Sequence, residues 1–104
     1  AIYPPGAGYR KHLDRFADSN AREVTFVTYL NREWKEEDGG LLRLYSETAP
    51  GLVTTEIVPR LGTTAFFLSG SIWHEVTATA RRRYSATGWF RSDGFTAPRR
   101  QELP

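Results

Sequence analysis

The chain has two histidines, and one of them opens the run His12-Leu13-Asp14. In an extended segment, residues two apart project to the same face, so an imidazole nitrogen and a carboxylate oxygen can reach one ion. The second, His74 in Ile72-Trp73-His74-Glu75-Val76, is distant in sequence, and a rolled sheet can bring it opposite the first pair. Two imidazoles and one carboxylate leave three positions of an octahedron open. That suits non-haem Fe(II), which must take a co-substrate and O₂ together. Zinc more often takes four ligands, or three and a water. A lone His-x-Asp is usually a solvated surface pair, so the rest of the chain decides its meaning.

Nine residues beyond His74, Arg83 begins the run Arg83–Phe90. Alternation places Arg83, Ser85, Thr87 and Trp89 on one face. A guanidinium facing inward can grip a dicarboxylate with two parallel hydrogen bonds, and the hydroxyls of Tyr29 and Thr87 can complete such a pocket. Arg81, Arg82 and Arg83 are adjacent and cannot all face one way. One arginine inward and its neighbours outward is the expected arrangement.

The elements that would hold these residues are short. Turn signals such as Pro4-Pro5-Gly6, Asp38-Gly39-Gly40, Ala49-Pro50-Gly51 and Ser69-Gly70-Ser71 separate β-rich runs. The runs are Glu23–Leu30, Leu41–Tyr45, Val53–Val58, Thr63–Leu68 and Tyr84–Phe90, and Ile2-Tyr3 looks like core strand at the start. Many short strands with Gly/Pro punctuation point to an all-β sandwich or barrel. In Glu23–Leu30, Val24, Phe26, Thr28 and Leu30 take one face and Thr25, Val27 and Tyr29 the other. Both carry apolar groups, so both are expected to be covered. Asn31–Asp38 has room for about one helical turn around Trp34. The expected organisation is one core domain over residues 1–92 and a loose tail over 93–104.

At 104 residues the chain suits a single domain. Hydrophobic residues make up 39% and charged residues 25%, ordinary values for a globular protein. No apolar run reaches the length of a membrane span, about 18–20 residues. Cys is absent, which excludes disulfides and thiol chemistry. The net charge of 14 − 12 = +2, with a pI near 9.2, is a mild basic bias without the aromatic platforms of a nucleic-acid surface. The expectation is a cytoplasmic protein with no nucleic-acid or membrane partner.

Taken in order, these pieces resemble the prolyl 4-hydroxylase-like branch of the Fe(II)/2-oxoglutarate dioxygenases, which includes the oxygen-sensing prolyl hydroxylases and bacterial relatives. The pieces are Tyr3-Pro4, Gly8-Tyr9-x-x-His12-x-Asp14, Arg22-x-Val24-Thr25, Tyr29-Leu30-Asn31-x-x-Trp34, Gly39-Gly40-x-Leu42-Arg43, Pro59, Phe66-Phe67, His74-Glu75-Val76 and Arg83-Tyr84-x-x-Thr87-x-Trp89-Phe90. No single piece is specific, but the ordered set is.

The resemblance implies a double-stranded β-helix (jelly roll), with His12, Asp14 and His74 as catalytic metal ligands. It implies that Arg83 and Tyr29 bind 2-oxoglutarate, with Tyr3, Val27, Leu42, Val76, Thr87 and Trp89 lining the co-substrate pocket or its surround. Asn31, Trp34, Gly39 and Gly40 are read as shaping a turn and its packing. Fe(II), 2-oxoglutarate and O₂ follow as cofactor and co-substrates, with ascorbate as an optional addition. The implied reaction is hydroxylation of an unactivated C–H bond, foremost a prolyl residue of a protein or peptide. The alternatives are the same chemistry on a free amino acid or small metabolite, or a non-catalytic binding module retaining the fold. Nucleic-acid demethylation ranks low, because Trp89 stands where such oxygenases carry a second arginine.

Family members usually carry helices before the first strand, and the given sequence starts at about that strand. One sheet face is therefore expected to lack its cover. The chain is then either the core of a longer protein or a homo-oligomer through that face. Residues 15–22 leave little room for a substrate lid, and Ser46–Leu52 is a candidate substrate loop.

Overall fold

The computed structural model describes residues 1–14, 22–49 and 51–91. The expected tail and most of the turn after Asp14 lie outside the described residues. Eight strands and a single 3₁₀ turn make up its regular structure: β1 (Ile2–Tyr3), β2 (Tyr9–His12), β3 (Arg22–Tyr29), the 3₁₀ turn Glu36–Asp38, β4 (Leu42–Tyr45), β5 (Val53–Ile57), β6 (Thr64–Leu68), β7 (His74–Val76) and β8 (Arg83–Arg91). The expected runs become strands within one residue or so at each end. Helix-favouring Asn31–Asp38 yields only the 3₁₀ turn, because Gly39 and Gly40, both at positive φ, end it at once.

The strands form two four-stranded sheets, ordered β1-β8-β3-β6 and β2-β7-β4-β5, with every strand pair antiparallel. The two sheets make the expected jelly roll. Sequence neighbours often sit in opposite sheets, so β2 meets β7 and β3 meets β8 across long stretches of chain. No helix among the described residues is long and apolar enough to cross a membrane.

Between the sheets lies a small core of Val27, Tyr29, Leu42, Ala65 and Phe67, with Leu44, Ile57, Ile72 and Val76 packed against it. Strand alternation accounts for it: Thr25, Val27 and Tyr29 of β3 point in, and Ala65 and Phe67 of β6 point in beside them. The opposite face of this sheet is only partly covered, contrary to the two-sided cover expected of Glu23–Leu30 alone. Cross-strand register puts Phe26 beside Phe66, Val24 beside Phe90 and Leu68, and Ile2 beside Tyr84. Ile2 and Phe66 are each 62% exposed, Phe90 57% and Leu68 50%. The Phe26 ring lies over Gly88, where an added Cβ would sit 2.4 Å from its Cζ. These side chains make an apolar patch on the outer face of this sheet.

Two motif residues, Asn31 and Trp34, do structural work away from the interior cavity. The Asn31 side chain donates to the carbonyls of Pro59 and Tyr84 and accepts from the Tyr84 N–H. Trp34 is buried, donates its indole N–H to the Gly39 carbonyl and carries the Arg81 guanidinium 4.6 Å over its ring. Of the three adjacent arginines, Arg83 is buried, Arg82 is exposed and Arg81 is half-buried on Trp34, the split expected from the sequence.

Candidate metal and co-substrate site

His12 and His74 are cross-strand partners in the β2–β7 pair, and this register is what brings distant residues together. Asp14 follows just beyond the end of β2, its backbone N–H donating to the Ser69 carbonyl at 3.1 Å. Its Oδ1 lies 3.3 Å from His12 Nε2 and 3.4 Å from His74 Nε2. Each residue offers a ligand atom within 4.8 Å of the others. Two ligand atoms about 2.1 Å from one ion and at right angles lie about 3.0 Å apart, so the cluster needs little change to hold a metal.

The imidazoles are aimed by their own backbone. His12 Nδ1 lies 2.7 Å from the Arg10 carbonyl, and His74 Nδ1 lies 3.1 Å from the Ile72 carbonyl. A carbonyl only accepts, so each Nδ1 carries a hydrogen and each Nε2 is the ring nitrogen left facing the shared centre as the available ligand atom. Tyr9 packs on His12 at 4.1 Å and Phe67 on His74 at 4.5 Å between ring centroids, which limits ring rotation. Burial works against the charge on Asp14, but His74, Thr25 and Trp89 outweigh it and hold its carboxyl at about 2. The group is therefore an anion at neutral pH, as a metal ligand must be.

The cluster opens into a cavity of about 480 Å³, within the range of small-molecule sites. Every residue singled out for the metal or the co-substrate lines it: His12, Asp14 and His74, then Arg83, Tyr29, Tyr3, Val27, Leu42, Val76, Thr87 and Trp89. Of the candidate substrate loop, described residues 46–49, 51 and 52 are not among the lining residues, and the Ser46 N–H donates to the Leu52 carbonyl between β4 and β5.

Arg83 is 2% exposed, and its Nε donates to the Gly40 carbonyl at 2.8 Å. Its guanidinium carbon lies 5.0 Å from the Tyr29 ring centroid and 5.2 Å from that of Tyr3. Burial lowers the pKa of Arg83 and raises those of Tyr29 and Tyr3, while the pairing of cation and phenols opposes both shifts. The Tyr29 hydroxyl is fully buried against the Arg83 guanidinium and, among the described protein groups, has no hydrogen-bond partner of normal geometry. A buried orphan donor beside a buried cation, both in a cavity wall, fits a ligand carboxylate that accepts from each. Gly40 permits this: its φ is +64°, and an added Cβ would meet Arg83 Cδ at 2.9 Å.

Residues 1–91 match the family described as the 2OG-Fe(II) oxygenase superfamily. The chain belongs to that superfamily. It is 39% identical over 93 residues to a hypoxia-inducible factor prolyl hydroxylase of Caenorhabditis elegans, a match covering 86% of this chain and 12% of that protein. Among solved structures, it resembles a prolyl-4-hydroxylase of Pseudomonas putida with a TM-score of 0.81 and 48% identity, over 92% of this chain and 51% of that one. A prolyl hydroxylase of Trichoplax adhaerens, solved with a hypoxia-inducible factor peptide fragment, matches with a TM-score of 0.79 and 33% identity, over 88% of this chain and 41% of that one. The chain thus spans about half or less of these relatives.

Two buried residues to which the sequence assigned no role in the site stand behind Asp14. Thr25 donates to Asp14 Oδ2 at 2.9 Å, and Ser69 lies 2.8 Å from the Thr25 hydroxyl. Thr25 could have been found, since alternation puts it on the face of Val27 and Tyr29. Ser69 sits past the end of β6 in a turn, where periodicity is silent.

Proposed function

We propose that this chain is the oxygenase core of a prolyl hydroxylase acting on a protein or peptide, with His12, Asp14 and His74 holding Fe(II) and Arg83 with Tyr29 binding the distal carboxylate of 2-oxoglutarate. The observation that carries this reading is the shared cavity, lined both by a His-Asp-His cluster and by a buried cation beside a buried hydroxyl. Bound Fe(II) and 2-oxoglutarate supply the activation of O₂ that an unactivated C–H bond requires.

The protein contributes orientation and exclusion of water. Each histidine is held with Nε2 forward by a carbonyl two residues behind it. Leu42, Val27 and Val76 give the cavity an apolar part of its lining. Support for a prolyl substrate comes from the relatives, prolyl hydroxylases at 33% to 48% identity. The reading keeps the cytoplasmic location expected from the sequence and includes self-association through the apolar outer face of the β1-β8-β3-β6 sheet.

The test is an anaerobic titration with Fe(II) and 2-oxoglutarate, reading the visible charge-transfer band of the ternary complex, in the parent, His74→Ala and Arg83→Ala. A band in the parent, lost in His74→Ala and weakened in Arg83→Ala, is expected. Turnover with prolyl peptides then addresses the substrate. A folded parent without the band would instead favour a non-catalytic binding module.

A further inference from the structure

A carboxylate can give a metal one oxygen or two, and the difference decides how many coordination positions stay open. At Asp14 the two oxygens have different surroundings. Oδ1 faces both imidazoles, at 3.3 and 3.4 Å. Oδ2 faces away and accepts from the Thr25 hydroxyl at 2.9 Å and from the Trp89 indole N–H at 3.3 Å.

Thr25 is in turn 2.8 Å from the Ser69 hydroxyl. The direction of this chain follows from proton counting. Asp14 as an anion only accepts, so Thr25 must spend its single hydrogen on Oδ2. Ser69 must then donate to Thr25. Donation into a hydroxyl strengthens that hydroxyl as a donor, so the two bonds support each other. Thr25 is 1% exposed and Ser69 0%, so water does not compete for either bond. Ser69 also accepts the Asp14 backbone N–H through its own carbonyl, which fixes it against the residue it serves.

We infer that Ser69 and Thr25, with Trp89, are positioning residues that occupy Asp14 Oδ2 and confine the carboxylate to single-oxygen ligation, keeping three metal positions free for 2-oxoglutarate and O₂. This rests on Asp14 being a metal ligand. Without the relay, Oδ2 is free to swing onto the ion and compete for a position that a bidentate co-substrate needs.

The test uses the whole chain and Co(II) alone as the probe, in anaerobic titrations that read the visible d–d absorption. Thr25→Val keeps the shape and removes the hydroxyl; Thr25→Ser keeps the hydroxyl; Ser69→Ala removes only the outer donor. Near-UV circular dichroism reports folding. Partners of metal ligands typically change affinity by about 10- to 100-fold. Thr25→Val is therefore expected to change Co(II) affinity by about tenfold or more, in either direction, with an altered d–d band. Thr25→Ser is expected to restore the parent's band, and Ser69→Ala to fall between. A purely structural role for Thr25 would lower stability and leave the band alone. Should Thr25→Val fail to fold, Ser69→Ala decides: a parent-like affinity and band there overturns the relay. A parent that binds Co(II) beside an unaffected, folded Thr25→Val also overturns the relay alone. A folded parent that does not bind Co(II) overturns the metal-site reading and the relay with it.

Discussion

Replacing Tyr29 by Phe should move two properties in opposite directions. The hydroxyl is buried beside Arg83 and has no partner of normal hydrogen-bond geometry among the described protein groups. A buried polar group without a partner costs about 1–3 kcal/mol of desolvation, and removing it returns that amount. In a domain of this size each kcal/mol raises Tm by about 4–8 °C. Tyr29→Phe should thus be more stable than the parent when no ligand is present. With 2-oxoglutarate the sign reverses. A hydrogen bond to a charged group contributes about 1.5–3 kcal/mol, so the variant should bind 2-oxoglutarate about 10- to 150-fold more weakly. Thermal unfolding without ligand, and 2-oxoglutarate titration of the Co(II)-loaded protein, measure the two halves separately. A ligand-free Tyr29→Phe that melts below the parent would refute the orphan-hydroxyl argument. An unchanged 2-oxoglutarate affinity would remove Tyr29 from the co-substrate site.

Gly40→Ala should weaken 2-oxoglutarate by at least about tenfold and leave Co(II) affinity intact, because the new Cβ pushes on Arg83 Cδ from 2.9 Å and not on the metal cluster; paired titrations check it. The Asp14 carboxyl sits at about 2 against an ordinary 3.8, so its charge stabilises the metal-free fold by about 2 kcal/mol above pH 4, and this is lost as the pH falls from about 4 to about 2. Urea midpoints of metal-free parent and Asp14→Asn should accordingly differ at pH 7 and converge near pH 2; a constant gap would refute the assignment. Phe66→Thr combined with Phe90→Thr should shrink particle size in light scattering without changing Co(II) affinity, since both rings stand on the outer sheet face away from the cavity.

Much of this was legible in the residues. Alternation in β8 put Arg83, Thr87 and Trp89 on one face, with Arg83 as the inward member of its basic run, and Tyr29 joined them through the hydroxyl it could offer. The co-directed pair His12 and Asp14 needed only a two-residue spacing. Other features depend on strand pairing across long loops, which local pattern does not encode. The pairing of β2 with β7, which sets His12 against His74, is one. The Thr25–Ser69 contact is another, since it joins residues 44 apart. The short strands Tyr9–His12 and His74–Val76 were not read as strands, for three or four residues leave no periodicity to detect. The pocket role of Gly40 was missed because a glycine in a turn already has a sufficient reason to be there.

The direct pairing of His12 with His74 also bears on how the chain finds its register. Side chains alternate across a strand, so a slip of one residue between β2 and β7 would turn one imidazole to the opposite face. A slipped pairing can satisfy its backbone hydrogen bonds but cannot assemble three ligands. An ion that binds the correct pairing alone therefore acts as a proofreader, adding its whole binding energy to the gap between right and wrong registers. For a pair as short as β2 and β7, that discrimination is larger than anything side-chain packing along three or four residues provides.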